Sequence, residues 1–156
     1  MTGKTHLVGG VASGMALASV TPYDPTTLVI AGAVGGLLPD ICHGGSKIGR
    51  KMPILSKIIN TIFGHRTFTH SLLFLLLAWL LLELLIPVDA IKIGVLVGMV
   101  SHLILDAATK NGIKLLYPLQ ITVRLPITTR TGGAVEYIVL AVLTLITVYY
   151  AKGIYV

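Results

Sequence analysis

The chain has 156 residues, of which 54% are hydrophobic and only 12% are charged. A soluble domain carries about 25% charged residues, so this composition excludes an ordinary water-soluble domain and indicates a membrane protein. Its single cysteine, Cys42, excludes an intrachain disulfide and any CxxC zinc motif. The net charge of +6 would suit nucleic acid. However, no stacked aromatic or periodic Lys and Arg pattern accompanies it, so we expect no nucleic-acid partner.

Five apolar segments follow one another and predict an all-α polytopic membrane helix bundle. With a rise of about 1.5 Å per residue, the last three nearly span a hydrocarbon core of about 30 Å, and the first two are shorter. Between the second and third segments, residues 46–63 mix lysines with Ile, Leu and Phe, which predicts a cytoplasmic interfacial helix. We expect residues 1–156 to form a single membrane-embedded domain. The five segments are residues 5–20, 26–40, 69–86, 90–107 and 134–151.

The first segment has a competing interpretation as a cleaved signal peptide. Lys4 precedes an apolar stretch at residues 7–17, and Ala16-Leu17-Ala18 supplies small residues at a cleavage position. Glycines interrupt that apolar stretch, which favours a retained segment. Cleavage would remove His6.

Basic residues predict the orientation. Two connections, residues 43–66 and 108–133, contain no acid and, with Lys4, hold all of the twelve lysines and arginines except Lys92 and Lys152. The positive-inside rule places the N-terminus and both connections in the cytoplasm and the C-terminus outside. We therefore predict a multi-pass protein of the inner (plasma) membrane.

Glycine spacing predicts close contacts between helices. Glycines four residues apart allow two backbones to approach closely in lipid. Three such pairs on three segments favour a compact bundle: Gly10/Gly14, Gly32/Gly36 and Gly94/Gly98.

Histidines and acids lie mostly at the segment ends that this topology places on the cytoplasmic side. Ionisable groups at membrane depth are costly and mark functional sites. His102 and Asp106 are four residues apart and share a helix face, as two ligands of one ion or a buried structural pair would. His65 and His70 are five apart and would not share a face. We expect His70 to be a ligand and His65, with Arg66, to be a supporting or substrate-facing group.

The candidate ligands suit a divalent transition metal. Asp40 closes the second segment, where the helix dipole disfavours an anion and a cation would compensate. Three imidazoles and two carboxylates suit Zn²⁺, our first choice, or Mn²⁺ or Fe²⁺, and do not suit Cu(I) or Ca²⁺. A bridging carboxylate would allow one or two ions. The set is His6, Asp40, His70, His102 and Asp106.

This donor set predicts a hydrolase. A bound metal lowers the pKa of a water towards about 7, and Arg66, Lys110 and Arg124 would bind the substrate and stabilise developing negative charge. The apolar stretch at residues 113–119 favours a lipid-borne ester or phosphoester as substrate. One alternative is a metal or ion transporter, although such sites usually lie at the bilayer midplane. The other is a non-catalytic scaffold with a structural metal. No protein partner is indicated.

Four motifs occur in order along the chain: LLPDICH at 37–43, FGHRTFTHS at 63–71, SHLILDAATKNGIKLLYP at 101–118 and RLPI at 124–127. With His6 before them and Glu136 after them, they resemble the YdjM-type membrane-bound metal-dependent hydrolases, also described as LexA-binding, inner-membrane-associated hydrolases. The resemblance implies an inner-membrane protein with metal-dependent hydrolase activity. It adds His43 to the metal ligands and places His65 and Glu136 beside Arg66 among the catalytic groups. The family pattern has a second aspartate where this chain has Cys42, which puts a second metal in doubt.

Overall fold

A computed structural model describes residues 1–64 and 66–155, the last without its side chain. Within these residues the chain forms six α-helices and two 3₁₀ turns, and no strand. This confirms the predicted all-α class. The helices are α1 Gly3–Ala18, α2 Pro25–Gly35, α3 Pro53–Phe63, α4 Leu72–Leu85, α5 Asp89–Ala107 and α6 Ala134–Tyr155, and the 3₁₀ turns are Leu38–Cys42 and Phe68–His70.

Three stretches of the described chain are long and apolar enough to cross a membrane: Pro25–Cys42, Asp89–Ala107 and Ala134–Ile154. The helices α1 and α4 have 16 and 14 residues, which is shorter than the roughly 20 residues that a full crossing requires. Length and composition therefore support three crossings, and the five-segment topology remains a prediction.

Close glycine contacts pack α2 against α1 and α5. A Cβ atom on Gly10 would lie 2.2 Å from the carbonyl oxygen of Gly32, and a Cβ atom on Gly98 would lie 2.2 Å from the same oxygen. A Cβ atom on any other glycine of the predicted pairs would also lie within 2.7 Å of an atom on a neighbouring segment. For Gly14 that atom is the carbonyl oxygen of Leu28. The predicted tight contacts are confirmed, and they fix the positions of α1, α2 and α5 relative to one another.

The start of α2 is fixed by its N-cap. The Asp24 carboxylate accepts hydrogen bonds from the hydroxyl and the backbone N–H of Thr27, at 2.6 and 2.7 Å, and Pro25 is the first helical residue. Both bonds favour the charged carboxylate and hold the pKa of Asp24 below its ordinary value. The cap ends the turn that separates α1 from α2.

The interfacial helix is shorter than predicted. It begins at Pro53, and the preceding residues from Ser46 form turns. Proline is well suited to the first turn of a helix and cannot continue one that comes before it. Ile54, Ile58 and Ile62 are exposed along α3, as expected of a helix that lies in a membrane interface.

The connection between α5 and α6 packs over one end of the bundle. Ile113 and Val123 exchange two backbone hydrogen bonds, of 3.1 and 2.8 Å, and Ile113 is buried. The Lys114 N–H donates to the carbonyl of Arg66, at 3.3 Å, and the Leu72 N–H donates to the carbonyl of Leu115, at 2.9 Å. These bonds hold Arg66 and the start of α4 at the end of the bundle where the ionisable residues lie.

Candidate metal centre

Ionisable side chains from four elements meet at this end of the bundle. His6 comes from the first turns of α1, and Asp40 and His70 come from the two 3₁₀ turns. His102 and Asp106 come from the last turns of α5. All are fully buried except Asp40, which is partly exposed. The structure thus brings together all five ligands that the residues themselves predicted.

Asp106 lies at the centre of this cluster. One of its oxygens is 3.1 Å from His6 Nε2, and the other is 3.4 Å from His70 Nε2 and 3.9 Å from His102 Nε2. Asp40 Oδ1 is 3.7 Å from His70 Nε2 and 3.9 Å from His102 Nε2. Two groups of three have ligand atoms within 4.8 Å of one another: His6, Asp40 and His102, and His70, His102 and Asp106.

Neighbouring groups fix the tautomers of two histidines. His102 Nδ1 lies 2.8 Å from the carbonyl oxygen of Gly36. Because a carbonyl can only accept, Nδ1 carries the proton. The Thr69 hydroxyl donates to Cys42 Sγ, at 3.1 Å, and lies 3.0 Å from His70 Nδ1, so it accepts a hydrogen bond from that nitrogen. In its neutral form, each of these histidines would therefore present the lone pair of Nε2 to the cluster.

These two Nε2 atoms lie only 3.1 Å apart. Two lone pairs facing each other at that distance repel unless a proton or a metal ion lies between them or beside them. Outer groups that fix a histidine in this way are typical of metal ligands. Since His102 has only one such lone pair, it can ligate one ion, although it belongs to both groups of three.

Unsatisfied polar atoms also fit a metal. Among the described residues, His6 Nδ1 and Nε2 and Asp106 Oδ2 are buried without a hydrogen-bond partner. Two of these atoms, His6 Nε2 and Asp106 Oδ2, have ion-pair neighbours within 4 Å. A buried polar group without a partner costs about 1–3 kcal/mol. A divalent ion would satisfy several at once, and the nitrogen and carboxylate donors suit Zn²⁺, Mn²⁺ or Fe²⁺.

Arg66 reaches the cluster from the loop before α4. Its Nη2 is 3.2 Å from Asp106 Oδ2, and its Nη1 donates to the Thr109 hydroxyl at 3.3 Å. The Met1 ammonium also contacts Asp106. Arg66 has a φ of +58°, a left-handed conformation that is uncommon outside glycine. Such conformations persist where the surroundings fix them, often at functional sites.

Four other predicted site residues lie outside the two groups of potential ligands. His43, Lys110 and Arg124 are exposed and belong to neither group of three. Glu136 is buried, and its carboxylate accepts from the Thr2 N–H and the Thr5 hydroxyl, both at 2.5 Å, and from the Gly132 N–H at 2.6 Å. Glu136 thereby joins the start of α6 to the start of α1. His65 lies outside the described residues. The roles predicted for these residues remain predictions.

A cavity of about 520 Å³ adjoins the cluster, and Asp40 and Arg66 line both. Three further basic residues line it: Lys4, Lys47 and Arg50. In the sequence these three residues indicated only the orientation of the chain. Lys47 and Arg50 do follow the LLPDICH motif within seven residues, and this proximity to Asp40 is the signal for a place near the site.

Comparisons with known proteins match nearly the whole chain. The family model described as YdjM inner membrane protein matches residues 1–155. The uncharacterized protein YvsG of Bacillus subtilis (strain 168) is 57% identical over 150 residues, which cover 96% of this chain and 94% of that protein. The inner membrane protein YdjM of Escherichia coli (strain K12) is 39% identical over 139 residues, covering 81% of this chain and 70% of that protein. The same values hold for YdjM of Shigella flexneri. No solved structure matches the chain.

Proposed function

We propose that this chain, which belongs to the YdjM inner membrane protein family, is a membrane-bound metal-dependent hydrolase. Its substrate would be a lipid-borne ester or phosphoester at the cytoplasmic membrane face. The observation that carries the proposal is the pair of His70 and His102 Nε2 atoms, which lie 3.1 Å apart while the Nδ1 atom of each ring contacts a hydrogen-bond partner outside the cluster. We propose Zn²⁺, with Mn²⁺ or Fe²⁺ as alternatives. When bound, such an ion supplies Lewis acidity and lowers the pKa of a water to about 7.

The protein residues at the edge of the cluster can bind and orient a substrate. Asp40 and Arg66 line both the cluster and the cavity, so a molecule bound in the cavity adjoins the ligands. The Arg66 Nε–H is buried and has no hydrogen-bond partner among the described residues, which makes it available to a substrate oxygen that gains negative charge. His65 and Glu136 are proposed as further catalytic groups, and Lys110 and Arg124 as outer substrate contacts.

The depth of the cluster favours a hydrolase over a transporter. His6 lies in the first turns of α1, and Asp106 is the residue before the last of α5. Transporter sites usually lie near the bilayer midplane, in helices broken at that depth. Candidate ligands at helix ends support a reaction at the membrane surface, where a lipid head group and water meet.

The shared position of these helix ends supports five crossings. The helices α1 and α4 begin near the cluster. The stretch Pro25–Cys42, which contains α2, ends there, and so does α5. If residues 26–40 and 90–107 cross the membrane, residues 5–20 and 69–86 must pass through the same depth to connect them. With 134–151 the chain crosses five times, and α3 lies at the cytoplasmic interface.

A reporter fused after Val156 is expected on the extracytoplasmic side because five crossings from a cytoplasmic N-terminus end outside. A truncated fusion after Asn111 serves as the matched cytoplasmic control. Alkaline phosphatase and green fluorescent protein fusions distinguish the two sides. Both fusions on one side would contradict the proposed topology.

Hydrolysis itself is tested on purified protein in neutral detergent. We expect slow release of product from at least one member of a panel of phospholipids, polyprenyl phosphate esters and carboxylic esters. A chelator should abolish turnover, and Zn²⁺ or Mn²⁺ should restore it. Absence of turnover over the whole panel by fully metal-loaded protein would contradict the proposal and favour a non-catalytic scaffold.

A further inference from the structure

The cavity beside the cluster lies between three parts of the chain: the start of α1, the connection that follows Cys42, and the start of α6. Its volume of about 520 Å³ falls within the range of about 300–1,000 Å³ typical of small-molecule sites. Asp40 and Arg66 form the wall nearest the ligands. A group bound in this cavity would therefore adjoin the cluster.

The charge of the lining favours an anion. Lys4, Lys47 and Arg50 have no carboxylate within 4 Å in the described part of the chain, whereas Lys92, outside the cavity, pairs with two. Glu136 also lines the cavity, but its oxygens accept hydrogen bonds from Thr2, Thr5 and Gly132. The first turn of α1 faces the cavity as well, and a helix N-terminus carries partial positive charge. Together these features attract and hold negative charge.

One wall of the same cavity is apolar. Leu37, Ile48 and Leu140 contribute to it, with the ring of Tyr137. Tyr137 and Leu140 belong to α6, on which large apolar residues such as Ile138 and Leu145 are exposed. The apolar wall therefore continues into a helix surface that suits lipid. A small soluble anion would not use this wall, and an amphiphile would.

We infer that this cavity binds the phosphate group of a phosphoester lipid, with Lys4, Lys47 and Arg50 as the residues that recognise it. A phosphate group accepts charge-assisted hydrogen bonds from both residue types, and arginine can bind it in a bidentate manner. The binding site is inferred from the cavity itself. That the bound phosphoester is also the substrate rests on the proposed function, and it narrows the substrate class from esters in general to phosphoester lipids.

The test measures binding to metal-free protein in neutral detergent, so that neither a metal nor turnover contributes to the signal. The probes are short-chain phosphatidic acid, inorganic phosphate and short-chain diacylglycerol. The affinity for each probe is measured by isothermal titration calorimetry. The key variant is Lys47→Gln with Arg50→Gln, and the matched control is Lys57→Gln with Arg130→Gln, which removes the same charge from exposed positions outside the cavity.

We expect phosphatidic acid to bind the wild type and the control alike. The Lys47→Gln, Arg50→Gln variant should bind it roughly tenfold more weakly or worse, because it loses two charged hydrogen-bond donors to the phosphate. Weaker binding of inorganic phosphate would identify the lipid as the ligand. Equal binding of inorganic phosphate would keep the phosphate site and overturn the lipid assignment. Equal binding of diacylglycerol, or equal losses in both double variants, would overturn phosphate recognition in this cavity.

This result is separable from the proposed function. A protein that lacks metal or turnover but distinguishes the two double variants would retain the phosphate site and lose the hydrolase. An active hydrolase that binds phosphatidic acid equally in both variants would retain the activity and lose the site. If the key variant aggregates, Arg50→Gln alone gives the same comparison against Arg130→Gln.

Discussion

The His102→Ala variant is expected to bind metal at least about 100-fold more weakly than the wild type and to show no measurable hydrolysis. His102 belongs to both groups of potential ligands, and its Nε2 lone pair is directed at the cluster because Nδ1 donates to Gly36. Loss of a group that only supports a ligand costs roughly 10–100-fold in metal affinity. Loss of the ligand itself should cost more.

The matched control for this variant is Ile104→Ala. Ile104 lies two residues from His102 on α5 and is 56% exposed. Both variants replace a side chain on this helix by alanine. Metal affinity is measured by competition with a chelator of known affinity, and circular dichroism checks that both variants stay helical. Wild-type affinity in His102→Ala would mean that α5 supplies no ligand through this residue.

The Gly98→Ala variant is expected to unfold about 3–10 °C below the wild type. The added Cβ would lie 2.2 Å from the carbonyl oxygen of Gly32 and 2.7 Å from the N atom of Gly36. Both are backbone atoms, so the contact is relieved only if α5 moves away from α2. Overpacking of this kind costs about 1–3 kcal/mol, and for a chain of this size 1 kcal/mol corresponds to roughly 2–4 °C.

The same substitution should also weaken metal binding. Gly98 lies about one turn before His102 on α5, and His102 donates to the carbonyl of Gly36 on the facing segment. Moving α5 away lengthens that bond and releases the imidazole. Gly153→Ala on α6 is the control, since no atom of the described residues lies within 4 Å of its added Cβ. Equal thermal unfolding of the two variants in detergent would show that close approach at Gly98 is not required.

Much of the fold and of the ligand set could be predicted from the sequence because membrane segments alternate in direction. His6 and His70 lie near the N-terminal ends of their segments, and Asp40 and His102 lie near the C-terminal ends. Because successive segments run in opposite directions, those ends lie on the same side of the membrane in the predicted topology. Asp106 lies four residues after His102 and therefore shares its helix face. The structure confirms that these residues meet.

The sequence could not predict the lateral positions of groups around the bundle. The count of basic residues predicts on which side of the membrane each connection lies. It does not predict which side chains are neighbours on that side. Lys110 and Arg124 remain predicted substrate contacts, and the structure adds Lys47 and Arg50 at the cavity, which that count did not identify. The role of Cys42 was equally hidden. It accepts a hydrogen bond from Thr69, and Thr69 in turn fixes the ring of His70.

Elemental analysis of the detergent-purified wild-type protein tests the metal centre most directly, both as isolated and after incubation with Zn²⁺, Mn²⁺ or Fe²⁺. His102→Ala and Ile104→Ala are measured beside it. We predict about one or two equivalents of a divalent transition metal in the wild type and in Ile104→Ala, and loss of that metal in His102→Ala. A wild-type protein that contains no metal after incubation with all three ions would contradict the metal centre, and the cluster would then be a buried polar network or a proton path.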